Sequence, residues 1–375
     1  MTTKRSDAAL CINSGSSSLK YALFDVSSST PVALHRGAID ESPTPTSLGA
    51  MFARLDAAQL PAPTMVGHRV VHGGRDYVAP AHVDDALLAG LQKIVPLAPL
   101  HLPAAIAGME AVRARLPGLP QVACFDTAFH AALPEVTRRL PVPHRFYEAG
   151  VRRYGFHGLS YEYVLSALGS EAAGRVIVAH LGSGASLVAI RDGQSIDTTM
   201  GLTPTGGIMM GTRSGDLDPG VLVYLAREHG LGAAALEHVV DYESGLLAMG
   251  GTSDMKTLIA RSMSDVDAAL AIDMFAYAVK KAIGAFVAAL GGLDVLVFTG
   301  AIGERAAVIR AKACDGLEAF GIRLDDARNR ASDSVISAAA SAVAIRIVPT
   351  DEDHVIAQHT KRVCGEAVEQ AHVSA

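Results

Sequence analysis

An α/β fold built from two duplicated halves is what this sequence predicts, on three observations. Strand-like apolar runs alternate with helical patterns along the whole chain. The 375 residues exceed what a single core usually encloses, roughly 250–300 residues. A strand, a Gly/Ser turn and a second strand occupy residues 9–24, and the same pattern returns at residues 175–192. Ser186-Leu187 then matches Ser18-Leu19 at an offset of 168 residues, with chance similarity of two hairpins as the alternative.

In the first copy, the run Ala9, Leu10, Cys11, Ile12 stops at Asn13, small residues fill 14–18, and Leu19 to Phe24 form the returning strand. The turn offers backbone N–H groups and hydroxyls without bulk, as a phosphate chain requires, and Lys20 adds a cation. An ordinary serine-rich hairpin loop would look the same.

Residues 32–39 read as a third strand and residues 41–46 as a Ser/Thr/Pro loop. A short strand over 64–71 ends in the polar run His68, Arg69, Val70, Val71, His72, Gly73, Gly74. Leu87, Leu88, Leu91 and Ile94 have helical spacing behind Asp84 as N-cap. A helix over 104–115 follows a proline-rich break around His101, and a buried strand over 121–125 delivers Asp126. Residues 134–147 read as a connector, and Ser160 as the cap of a helix reaching Leu168.

In the second half, residues 193–200 look like a third strand and 201–220 a Gly-rich loop. Asp218-Pro219 opens a helix that Gly230 closes. A long Ala-rich helix spans 264–290. The strand 295–298 runs through a glycine turn into a helix reaching Ile309, an arrangement that lets backbone approach a nucleotide. A last strand covers 343–348, and Asp353 caps a final helix over 354–369.

Composition narrows the function. The net charge is -6 and no basic run exceeds two residues, so nucleic acid is not an expected partner. The four cysteines, Cys11, Cys124, Cys314 and Cys364, form no CxxC pair, which fits a reducing cytoplasm without zinc or disulfides. Asp7 sits where a signal peptide needs an apolar core, and the most apolar runs are broken by proline before the roughly 20 residues of a membrane span. No P-loop and no G-x-G-x-x-G opening a helix is present. His68 and His72 lack the glutamate of a zinc protease.

The remaining chemistry-bearing residues are Arg69, His101, Asp126, His157, Arg213, Asp254, Lys256 and Glu352. Singly, each reads as a solvated charge, a cap or a hydrogen-bonded structural histidine. Together they fit phosphoryl transfer, which needs positioning and charge stabilisation more than covalent chemistry. Arginine neutralises phosphoryl oxygens at any pH. An Asn and a Glu suit magnesium, which takes oxygen ligands and keeps its waters.

These motifs resemble those of the acetate kinase family over nearly the whole chain. The matching stretches are 13–20, 67–74, 98–101, 125–130, 154–158, 180–184, 210–213, 298–304 and 349–352. The resemblance implies two duplicated actin-like (ribonuclease H-like) α/β domains around a nucleotide cleft, as in sugar kinases. It implies an N-terminal domain of residues 1–147 plus 354–375, and a nucleotide-binding and dimerisation domain of residues 148–353. The implied reaction is reversible, magnesium-dependent, in-line transfer from ATP to acetate, giving acetyl phosphate and ADP. Mn2+ is an alternative metal, propionate or butyrate an alternative acceptor, and a non-catalytic actin-like ATP switch an alternative of another class. A homodimer through the second domain is also implied, while the charge and the broken apolar runs already argue against a nucleic-acid or membrane partner.

Carried over residue by residue, Asn13 and Glu352 resemble the magnesium-site residues. Arg69 resembles the carboxylate-binding arginine. Val71, Leu100, Phe156 and Pro204 match the apolar patch for the methyl group. Asp126 matches the residue usually called the acid/base. A carboxylate substrate is already ionised near neutral pH, so Asp126 is expected to orient Arg69 or the metal's waters. His157 and Arg213 match the pair that stabilises the transferring phosphoryl group. Lys20, His180, Leu181, Gly182, Ser183, Gly184, Asp254, Met255, Lys256, Ala301, Ile302, Gly303, Glu304 and Arg305 correspond to nucleotide contacts. The departures lie on this nucleotide side: Ser183 and Arg305 where Asn is usual, Lys256 for an arginine, Gly300-Ala301 for Ala-Gly, and Thr205-Gly206 for Leu-Glu.

Overall fold

The computed structural model of the chain describes residues 7–15 and 18–373, with side chains up to residue 366. Ser16 and Ser17 of the opening turn lie outside the described residues.

Two sheets organise the described residues. The first contains β1 (Ala8–Ser14), β2 (Leu19–Asp25), β3 (Val32–Ile39), β4 (Met65–Val70), β5 (Ala81–His82) and β6 (Gln121–Phe125), in the order β3-β2-β1-β4-β6-β5. The second contains β7 (Arg175–Leu181), β8 (Ala185–Arg191), β9 (Gln194–Thr198), β10 (Val295–Thr299) and β11 (Ala344–Ile347), in the order β9-β8-β7-β10-β11. The second sheet repeats β3-β2-β1-β4-β6 strand for strand. In each, the opening hairpin and third strand are antiparallel, and two parallel strands flank the first on its other side. The duplication is therefore real, but its register differs from the sequence match. The first hairpin closes on the pair Ser14–Leu19 and the second on Leu181–Ala185. The second turn is one residue shorter, so Ser186 takes the place of Lys20, not of Ser18.

The chain clusters into two compact units. One comprises Met1–Ala131, Phe156–Tyr163 and Asp351–Ala375; the other comprises Ala132–Gly155 and Val164–Thr350. Residues 132–147 group with the second unit because Thr137 donates to the Ile196 carbonyl (2.9 Å) and Arg153 donates to the Thr137 carbonyl (3.0 Å). Residues 156–163 group with the first, where the Gly158 N–H donates to the Asp126 carbonyl (2.9 Å).

Alternation along the strands splits the first unit's core into two layers. Leu10 and Ile12 face the helix Pro45–Ala57, whose Leu48, Met51, Phe52 and Leu55 follow helical spacing. That helix starts inside the expected loop, because Thr44 and Ser47 form a reciprocal capping box ahead of Pro45. Ala9, Cys11, Ala22, Phe24, Val122 and Cys124 face the helix Glu352–Val373, packing on Val355, Ile356 and Val363. Gly67 lets this helix lie close on β4: a Cβ there would stand 2.2 Å from Thr360 Oγ1 and 2.5 Å from an Ile356 methyl. The helix begins two residues before the expected start, with Asp351 accepting from the His354 N–H (3.1 Å) as its cap instead of Asp353. Likewise the helix expected to be capped by Ser160 already starts at Gly158, and the helix after β10 breaks at Ala306 into Gly300–Arg305 and Ala307–Cys314.

His68 on β4 is buried and held by Gln121 at 2.8 Å. With the amide nitrogen turned to His68, Gln121 also donates to the Met109 carbonyl and accepts from the Arg113 N–H, each at 3.3 Å. His68 is then a neutral acceptor, and burial pushes its pKa down to about 4. The unfolded imidazole titrates near 6.5, so its contribution to stability is whole above that value and is lost as the pH falls towards 4. Chemical denaturation should show wild type losing roughly 3 kcal/mol more than His68→Gln between pH 7.5 and pH 4. Parallel losses in the two proteins would contradict this account.

Candidate active site

β1, β4 and β6 run parallel, so their C-terminal ends share one edge of the first sheet. Asn13 has the parity of Ala9 and Cys11, and Arg69 that of Met65 and Gly67. Asp126, just past β6, has the parity of Val122 and Cys124. The strand period thus puts all three on the face covered by the helix that starts at Glu352. Lys20 is exposed and directly opposite Asn13 in the β1–β2 register, so it joins them on the same face. The Cys11 thiol donates to the Asp353 carbonyl (3.3 Å), tying β1 to the first turn of that helix.

Ion pairs assemble the centre of this group. Arg69 reaches Asp126 with two N–H groups, Nε to Oδ1 at 3.2 Å and Nη2 to Oδ2 at 2.7 Å, and its Nε lies 3.3 Å from Glu352 Oε2. Asp126 is only 1% exposed, whereas Arg69 keeps 18% of its side chain accessible. Burial works against the Arg69 charge, but the attraction of Asp126 and then Glu352 outweighs it, so its pKa lies above the ordinary arginine value. In the same turn, burial pushes the Asp353 carboxyl up to about 6 against the pull of Arg36.

His157 is fixed through its backbone. Its φ of +58° is left-handed, a conformation that costs a non-glycine residue about 1–3 kcal/mol. Both neighbours are clamped: the Phe156 carbonyl pairs with His130 Nε2 at 3.0 Å, and the Gly158 N–H is held by Asp126. A Cβ on Gly158 would come within 2.2 Å of the Asp126 carbonyl oxygen, so only glycine permits this approach. Phe156 is buried with its ring edge-on to His72, 5.3 Å between centroids. Val71 and Leu100 are half-buried, in the segment after β4 and just before the helix Leu102–Arg115. The Gly73 N–H donates to Thr127 (3.0 Å), which ties the segment carrying Val71 to that carrying Asp126.

The other candidates lie in the second unit and gather at the end of β7. Residues 180–184 form its hairpin tip, with Ser183 exposed. Gly211 donates to the Ser183 carbonyl (3.0 Å), and a Cβ on Gly211 would be 3.3 Å from both that oxygen and Ser253 Cβ. Gly300, with φ +75°, brings its Cα so close to β7 that a Cβ would be 2.7 Å from the Leu181 carbonyl oxygen. The segments 180–184, 254–256 and 301–305 therefore converge. Within them Asp254 is engaged as a helix N-cap, accepting from the Lys256 (3.3 Å) and Thr257 (3.1 Å) N–H groups. The Thr257 hydroxyl, then its N–H, holds that carboxyl below its usual pKa. Glu304 accepts from the Thr350 N–H at 3.3 Å.

Arg213 donates to the Pro204 carbonyl (3.1 Å) from a turn closed by the Met210 N–H on its own carbonyl (3.0 Å). The N–H groups of Ser244, Leu246 and Leu247 hold the turn from outside. Thr205, at a departure from the family pattern, hydrogen-bonds the buried Asp241, so an acidic side chain reaches this loop from another segment.

Known proteins resemble this chain in sequence and fold. A family model described as Acetokinase family matches residues 47–358. The chain belongs to the acetokinase family. An acetate kinase from Nitrobacter hamburgensis is 42% identical, over 94% of this chain and 95% of that protein. The crystal structure of Porphyromonas gingivalis acetate kinase matches with a TM-score of 0.87 at 36% identity, covering 96% of this chain and all of that one. A propionate kinase from Francisella tularensis gives 0.87 at 33% identity, covering 95% of this chain and all of that one. Its acetokinase-family fold is the duplicated actin-like one, in keeping with the repeated sheet topology.

Arg310, which no sequence motif singles out, is fully buried and holds the carbonyls of Gly303 and Glu304. One signal was available: Ala306, Arg310, Ala313 and Cys314 share helical spacing on an otherwise apolar face. Among the described residues no helix is long and apolar enough to cross a membrane.

Proposed function

We propose that this protein transfers the γ-phosphoryl group of ATP reversibly to acetate, giving acetyl phosphate and ADP. The observation that carries this reading is Arg69, gripped bidentately by Asp126 and kept charged at the carboxyl ends of three parallel strands. Strand ends of this kind are where α/β sheets bind ligands, and a fixed guanidinium suits a small carboxylate. Family membership and the names of the curated relatives support acetate as the acceptor. Propionate adds one methylene, worth only about 1–3 kcal/mol in an apolar pocket.

Arg69 engages the carboxylate, and Val71, Leu100, Phe156 and Pro204 receive its methyl group. An acetate oxygen attacks the γ-phosphorus in line while the bond to the ADP oxygen breaks. His157 and Arg213 donate to the transferring phosphoryl oxygens. Asp126 orients Arg69 and takes no proton. Lys20 and the three converging segments of the second unit contact the nucleotide.

Magnesium fits the donors present. Asn13 and Glu352 offer two oxygen ligands on one face of the first unit. That suits an ion keeping most of its waters, with Mn2+ accommodated by the same oxygens. When bound, the metal neutralises charge on the ATP phosphates. Protein incubated with acetate, ATP, magnesium and hydroxylamine should accumulate acetyl hydroxamate. Chelation by EDTA should stop this and excess magnesium restore it. Undiminished activity after chelation would overturn the metal assignment.

A second copy of the chain is the proposed partner. The helix Pro219–Glu228 has no buried residue, and Val223 and Tyr224 are 53% and 58% exposed. The helix Val266–Leu290 buries one face and exposes a stripe of Val266, Leu270, Met274 and Tyr277. Wild type should sediment as a dimer at micromolar concentration, and Met274→Glu with Tyr277→Glu as a monomer. A monomeric wild type would rule the assignment out. The free cysteines, all buried, support a cytoplasmic setting.

A further inference from the structure

Arg310 lies on the helix Ala307–Cys314 with none of its surface exposed. A guanidinium has five N–H donors, and each has a partner. Nε donates to Asn329 Oδ1 (2.8 Å), and Nη1 donates to the carbonyls of Gly303 (2.8 Å) and Glu304 (3.0 Å). Nη2 donates to the Asn329 carbonyl (2.8 Å) and Ser332 Oγ (3.0 Å). All five acceptors are neutral. Burial pulls the pKa down to about 10, so the group stays charged at neutral pH.

A buried charge without a counter-ion is costly, and a well-packed apolar side chain usually serves stability better. The arginine's particular effect is on the helix Gly300–Arg305. Its two acceptors there are among the C-terminal carbonyls that a helix cannot satisfy internally, and positive charge is favoured at that end. The network extends further: Asn329 Nδ2 donates to the Ala307 carbonyl (2.9 Å), and Ser332 keeps a left-handed φ of +56°. The helices Gly300–Arg305, Ala307–Cys314 and Asp326–Ala331 are thereby locked to one another, with the glycine turn at Gly300 pressed on Leu181 at their head.

We propose that Arg310 is a positioning residue for the nucleotide: with Asn329 and Ser332 it sets the pose of residues 301–305 beside the β7 hairpin tip. This rests on the reading of those residues as nucleotide contacts. The ends of the network are backbone carbonyls of the very segment that approaches the phosphates or base, so its loss lets the segment relax without dismantling the sheet.

The test is steady-state kinetics with ATP and acetate varied separately, alongside thermal melting. Arg310→Met should raise the KM for ATP about tenfold or more and leave the KM for acetate within about twofold. Arg310→Lys, with three donors, should fall between it and wild type. Asn329→Ala keeps the guanidinium on its three backbone acceptors, so it should shift the ATP KM less, in the same direction. It also supplies the answer if Arg310→Met does not fold. A lowered melting temperature with an unchanged ATP KM, or equal rises in both KM values, would reduce Arg310 to a structural role and overturn the proposal. Ala301→Asp, exposed on the same helix, separates the two readings. It should raise the ATP KM without changing the melting temperature. If it leaves that KM unchanged, the nucleotide assignment of the helix fails instead.

Discussion

Arg213→Ala lowers kcat by about a thousandfold or more, the range seen when an arginine facing a transferring phosphoryl group is removed. The fold should survive the change. The turn carrying Arg213 is held by its own Met210–Arg213 backbone bond and by the N–H groups of Ser244, Leu246 and Leu247. Gly245, at φ +66°, sits so close that a Cβ would be 2.2 Å from the Met210 carbonyl oxygen. None of these contacts uses the guanidinium. The guanidinium itself donates to the Pro204 carbonyl, a charge-assisted hydrogen bond worth about 1.5–3 kcal/mol, and also lies 3.6 Å from Met210 Sδ. Circular dichroism melting together with initial rates checks both parts. Near-normal turnover in a folded variant would remove Arg213 from the site.

Asp126→Asn should have the second largest effect, and a different kinetic shape. Arg69 would lose its charged, bidentate partner, keeping one hydrogen bond to the amide oxygen and the longer contact to Glu352 at 3.3 Å. The guanidinium would remain charged but no longer be aimed. The KM for acetate should rise about a hundredfold with the KM for ATP changed about threefold at most, because misplacing a binding group by about 1 Å costs that much. A general base would behave otherwise: its loss would depress kcat with the acetate KM intact. Steady-state analysis therefore separates an orienting Asp126 from a proton-transferring one.

Much of this site was legible as strand ends. Apolar runs stop at Asn13 and Asp126, and the polar run at Arg69 closes another, so the residue types that matter were marked by where alternation fails. Their company was not legible. β1 is hydrogen-bonded to β4, some fifty residues later, and β4 to β6. Only that pairing, with the shared parity of Asn13, Arg69 and Asp126, brings them to one face. The helix that delivers Glu352 is recruited by the absence of a side chain at Gly67, which composition does not reveal. The helix Pro45–Ala57 was missed because proline and serine read as loop, although Thr44 and Ser47 spell a capping box. Arg310 was missed because arginine is almost always a surface residue, and a solitary charge on an apolar face is easily taken as a helix edge. Asp254 shows the converse: an aspartate ahead of a helix is a capping signal, and its carboxylate does cap the helix Met255–Arg261.

The residue roles above all serve phosphoryl transfer between a nucleotide and acetate. The most direct measurement is kcat/KM for acetate, propionate and butyrate against ATP, GTP and pyrophosphate, followed as acyl phosphate formed. Acetate with ATP should give the highest value, with propionate lower by up to about a hundredfold. If no short carboxylate is phosphorylated by any of these donors, the account is contradicted at its centre.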